Sequence, residues 1–153
     1  MRIELDIRDY SGGLKPFVQV LCRFPRKHKF MPLSAFVDTG SPTTNISLIE
    51  FNKVSLPVSS VIDKDDFKRI SIGGATHQGH PLHTPVEFKF SCGDEIVALE
   101  APSVYVYLPF GEGRRSLHNS AHLPNIIGVD FLVYHKLGLY FNPSRGTAWL
   151  SDE

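Results

Sequence analysis

This 153-residue chain lacks net charge: 16 Lys and Arg stand against 16 Asp and Glu, and the two signs are interspersed. No one-signed field results, so neither nucleic acid nor an anionic membrane surface is an expected partner. Cysteine is scarce, with Cys22 and Cys92 far apart and no C-x-x-C spacing. That argues against a disulfide framework and against a cysteine-based zinc site. Long apolar runs are missing as well. Nothing approaches the roughly 20 residues that span a bilayer. Residues 1–10 alternate polar and apolar residues, where an export signal needs a continuous apolar stretch. A reducing, cytoplasmic setting is the expectation, and the Asn45-Ile46-Ser47 sequon is then read as chance.

Helical periodicity is also in short supply. Only residues 48–54 and 129–137 offer about two turns free of Pro and Gly, the second ending at Gly138, a suitable C-terminal cap. What is present instead is short segments rich in Val, Ile, Phe and Tyr, separated by turn formers at the spacing of an all-β protein. Strands are expected at residues 2–7, 17–24, 33–37, 86–90 and 96–108. They resume at 139–141 and 147–150 around the Asn142-Pro143 turn. Pro85 and Pro102 limit where these strands can pair centrally. With 42% hydrophobic residues and no linker-like stretch, residues 1–153 are expected to fold as one domain.

The most informative stretch runs from an apolar strand into a polar cluster: Leu33-Ser34-Ala35-Phe36-Val37, then Asp38-Thr39-Gly40-Ser41. A carboxylate at the end of a buried strand needs hydrogen-bond donors, which Thr39, Ser41 and the amides around Gly40 are placed to supply. By itself Asp-Thr-Gly is also a common strand-ending turn. Far downstream, Leu123-Pro124-Asn125-Ile126-Ile127-Gly128 leads into the second helical segment. Taken alone, that stretch is a buried strand with a glycine for close packing. Between the two stretches lies Ile70-Ser71-Ile72-Gly73-Gly74-Ala75-Thr76, with paired glycines where a hairpin would turn.

In this order the three stretches resemble the retropepsin family, the single-domain aspartic proteases related to the retroviral enzymes. The resemblance implies an all-β acid-protease fold: a closed β-barrel with one short C-terminal helix and a β-hairpin flap. It implies that Asp38 is the catalytic aspartate, supported by Thr39, Gly40, Ser41, Ile126, Ile127 and Gly128, and that Ile72, Gly73, Gly74 and Ala75 form the substrate-binding flap. No metal or organic cofactor is implied.

Such enzymes use two carboxylates close enough to share a proton, one as general base on water and one as general acid; that dyad is a standard case of paired carboxylates with separated pKa values. This chain has one Asp-Thr-Gly and no internal repeat. The second aspartate is therefore expected from a second copy across a two-fold axis, giving a homodimeric endopeptidase that takes an extended peptide or protein substrate. The alternative is a catalytically silent dimer of the same fold that binds extended peptides or a partner protein. Ser41 is expected to donate its hydroxyl to the carboxylate. His77, His80, His83, His118 and His122 are read as solvated loop residues rather than metal ligands, because no carboxylate or cysteine stands at ligand spacing. Residues 103–123 are polar and basic, and residues 110–116 within them are expected to be an exposed loop.

Overall fold

The computed structural model describes residues 1–72, 74–111 and 114–153. Gly73 of the expected flap, and Glu112 and Gly113 of the expected loop, lie outside the described residues.

Twelve strands, three α-helices and two short 3-10 helices follow one another along the described residues. The longest strand, β3 (Gly13–Arg23), organises the main sheet. It pairs antiparallel with β2 (Asp6–Tyr10) through its first half, with β7 (Val86–Cys92) through its second, and with β4 (Phe30–Val37) along most of its length. Alternation sets its faces: Val18, Val20 and Cys22 enter the core, while Gln19, Leu21 and Arg23 face outward. β7 continues into β8 (Glu95–Ala101) through a hairpin. On the other side, β4 pairs parallel with β10 (Asn125–Ile127), with Ile126 opposite Phe36 and Ile127 opposite Val37. Parallel strands covered on both faces read as continuous apolar runs, which is what Ala35-Phe36-Val37 and Ile126-Ile127 are.

A second sheet joins β5 (Lys68–Ile72), β6 (Ala75–Pro81) and β9 (Tyr105–Pro109); a third joins β1 (Arg2–Glu4), β12 (Thr147–Ser151) and β11 (Gly138–Asn142). Pro102 splits the stretch expected at 96–108, so that β8 stays on the main sheet while β9 crosses to the second. The fold is therefore mostly β, but the sheet paths among the described residues are open, and they do not trace a closed barrel. The main core gathers Phe51, Phe88, Phe90, Phe131, Ile127 and Val106, among others. A smaller apolar cluster of Phe17, Phe36 and Ile126, flanked by Tyr10, occupies the opposite side of the β4–β10 pair.

α1 (Leu48–Lys53) and α3 (Val129–Tyr134) coincide with the two expected helical segments, each shorter than expected. α2 (Arg114–Ala121) corrects the expectation of a loop. It is polar nearly all round, with only Ser120 buried, so no apolar stripe marks it in the sequence. Cys22 and Cys92 are both free, and burial pushes the Cys22 thiol up to about 12, leaving it inert. No helix among the described residues is long and apolar enough to cross a membrane.

Candidate active site

The end of β4 is continued by one further rung: the Asp38 amide donates to the Ile127 carbonyl at 3.0 Å. The chain then turns tightly. Gly40 N–H donates to Asp38 Oδ1 at 2.9 Å, and Ser41 N–H donates to the Asp38 carbonyl at 3.1 Å. Asp38 is half-buried, whereas Thr39 and Gly40 are exposed. Strand alternation carries Asp38 towards the side of Phe36 rather than that of Val37.

Ser41 does not meet its expectation. Its hydroxyl donates to the Thr43 carbonyl at 2.8 Å, and a hydroxyl has one proton to give. Ser41 braces the loop instead of charging the carboxylate.

Residues 41–46 are tied to the segment carrying Ile126-Ile127-Gly128. Asn45 and Ile126 exchange both backbone bonds at 3.0 Å, and Ile46 N–H and Tyr105 N–H bond to the Tyr105 and Thr44 carbonyls. Thr44 Oγ1 donates to Asp130 Oδ1 at 2.7 Å and accepts from Gly128 N–H at 3.0 Å, while the Thr44 amide reaches Asp130 Oδ2 at 3.1 Å. The first amides of α3 are met by the same loop: Val129 N–H donates to the Ser41 carbonyl at 2.9 Å. Gly128 is what allows this approach. A Cβ there would lie 2.4 Å from both the Thr43 carbonyl carbon and its oxygen, which are backbone atoms that cannot swing aside. The glycine ending the apolar-apolar-Gly stretch is thus a consequence of where the Asp38 loop runs.

Sequence reasoning missed Thr43, Thr44, Asn125 and Asp130. Asn125 accepts from Ser47 N–H at 2.7 Å and donates to the Ser34 carbonyl at 3.0 Å, joining β10 to β4 and to the start of α1. Thr43 Oγ1 shares a hydrogen bond of 2.8 Å with the hydroxyl of Tyr107, a buried β9 residue whose pKa is raised by that burial. The one available signal was Asp130 itself, an acid in the first turn of an expected helix.

Asp38, Thr39, Gly40 and Ser41 are therefore brought against Ile126, Ile127 and Gly128. The hairpin residues Ile72, Gly74 and Ala75 are not in that cluster; together with α2 and Ser11 they line a cavity of about 840 Å³. The histidine expectation is corrected in part. His77 and His80 lie on β6 and are buried: His77 Nδ1 pairs with the Ser120 hydroxyl at 2.9 Å, and His80 Nδ1 with the Asp63 carbonyl at 3.0 Å. Burial lowers the His77 pKa, with partial opposition from the Ile72 backbone. His83, His118 and His122 are exposed. Among the described residues no three His, Cys, Asp or Glu side chains come together as a metal site.

No family model matches the sequence, and no curated protein matches it. The fold, in contrast, is similar to the crystal structure of a retropepsin-like aspartic protease from Rickettsia conorii. The TM-score is 0.52 over 98% of this chain and 89% of that one, at 12% sequence identity. At that identity the likeness is one of fold alone.

Proposed function

We propose that the chain is an aspartic endopeptidase acting as a homodimer, with Asp38 and the partner's Asp38 as its dyad. The observation that carries this reading is the state of Asp38. Its backbone is fixed by Ile127, Ser41 and the turn, while the carboxylate stays only half-buried and its neighbours Thr39 and Gly40 stay exposed. A loop so braced from behind and so open in front is suited to meeting its own copy across a two-fold axis.

In the dyad one carboxylate is ionised and the other protonated, because two such charges at hydrogen-bond distance cannot both persist. The ionised group takes a proton from a water as its oxygen attacks the scissile carbonyl carbon, and the protonated group gives its proton to the carbonyl oxygen. The carboxyl that took the water's proton then gives it to the amine nitrogen, the other carboxylate takes a proton from a diol hydroxyl, and the diol collapses to a carboxylic acid as the C–N bond breaks. The β5–β6 hairpin is the flap of this reading, with backbone pairing to an extended substrate.

Cleavage of a mixed peptide library by wild type and Asp38→Asn tests it. The variant should lose a factor of about a thousand or more in rate while keeping its unfolding midpoint. Specific activity should also fall on dilution as dimers dissociate. Equal cleavage by the variant, or activity strictly proportional to concentration into the monomeric range, would sink the proposal. A folded dimer that binds peptides and cleaves none favours the silent binder.

A further inference from the structure

The cavity beside the hairpin has a chemistry that the dyad does not use. Arg115, His118 and His122 of and just after α2 line it, with His77 of β6 and the hydroxyls of Ser11 and Ser116. No Asp or Glu stands among its described lining residues, in a chain whose acids and bases otherwise cancel. His77 is 1% exposed, and its Nε2 is buried with no hydrogen-bond partner among the described residues.

Two of its lining residues adjoin, along the chain, the segments that form the Phe17–Phe36–Ile126 cluster. Tyr10 packs on Phe17 and Phe36 with ring centroids 5.7 and 5.8 Å apart, and the next residue, Ser11, lines the cavity. Leu123 lines it too, and from there the chain runs through Pro124 into β10, whose Ile126 stands opposite Phe36. The cavity is thus a recess rich in basic side chains, lined on one side by the residues of the proposed flap.

We infer that this recess receives an ionised Asp or Glu side chain of the extended substrate, with Arg115 as its cationic partner and the His118 ring beside it. The inference rests on the protease reading and adds the substrate class. The preferred sequence carries an acid at one fixed position relative to the scissile bond.

The test compares matched peptides carrying Glu or Gln at each position, at about pH 6, where a free Glu side chain is ionised. Wild type should favour Glu about fivefold in kcat/KM at one position, the scale of a partly exposed charge pair. The Glu-to-Gln ratio of kcat/KM should shrink towards one in high salt and in Arg115→Gln/His118→Gln. Cleavage with no Glu preference at any position overturns the inference and leaves the protease reading intact. Should nothing be cleaved, the same peptides are titrated into Asp38→Asn protein by fluorescence anisotropy. Salt-sensitive preference for Glu there still supports the recess, and equal binding overturns it.

Discussion

The Asp38 loop and the hairpin with α2 are held in different ways. Residues 38–46 are laced to β10 and α3 by backbone exchanges and by the Thr44–Asp130–Gly128 cluster, with bonds of 2.7–3.3 Å that converge on a glycine leaving no spare room. The hairpin is held by its own ladder and by β9, and α2 buries a single serine. The first arrangement suits a carboxylate that must be held to within a fraction of an ångström. The hairpin tip and α2 bury little, as expected of a segment that would open to admit and release a bound chain, while β6 is anchored further along by the buried His77 and His80. Rigidity has been placed where the chemistry would be, and looseness where the ligand would pass.

The sharpest way to break this contrast is Gly128→Ala. The new methyl group meets Thr43 backbone at 2.4 Å, so either β10 or the Asp38 loop must move. A loss of about 3 kcal/mol or more in urea unfolding is expected, and an unchanged midpoint would show that the loop is not braced as described. Next in size is Thr44→Val, which keeps the shape but leaves the buried Gly128 N–H and one Asp130 oxygen without their shared partner. About 2 kcal/mol should be lost, and Thr44→Ser should recover most of it. Gly74→Ala probes the other side. There φ is +79° and a Cβ would touch nothing within 4 Å, so the cost is conformational only, about 1 kcal/mol. If Gly74→Ala proved as damaging as Gly128→Ala, the hairpin would be as tightly determined as the loop and the comparison would fail.

The same contrast decides what could be read from the sequence. The Asp38 side was legible because burial on both faces leaves continuous apolar runs, and close approach leaves a glycine; Ala35-Phe36-Val37 and Ile126-Ile127-Gly128 carry both marks. The cross-links within it were not legible. Thr44 and Asp130 are ordinary polar residues until the fold sets one against the other, and the same is true of Asn125 against Ser47. The hairpin was legible from its glycines, although Gly73 lies outside the described residues. α2 was hidden because it is polar overall and buries one serine, so no apolar stripe announces it. The histidines misled for a related reason: Gly79 and Pro81 argue against a helix, but a strand tolerates them, and β6 turns His77 and His80 inward.

His77 supplies the smallest and most local test. Burial holds its pKa below the ordinary value, so the folded protein binds fewer protons than the unfolded one in the window below about pH 6.5. The stability that the neutral, Ser120-bonded ring provides is present above that pH and is lost as pH falls towards the folded pKa. His77→Gln, which can still bond Ser120, removes this titration, so the gap between wild type and variant should narrow from about pH 7.5 to 5. Hydrogen exchange locates the effect: acid should speed exchange beyond its intrinsic pH dependence at the amides of β6 and α2 in wild type, and leave the protection of the β4–β10 ladder unchanged. A gap that stays constant with pH would mean that the ring is not held neutral by burial. Equal acid loosening of both regions would mean that they open together, and the division of labour between the braced loop and the loose hairpin would not hold.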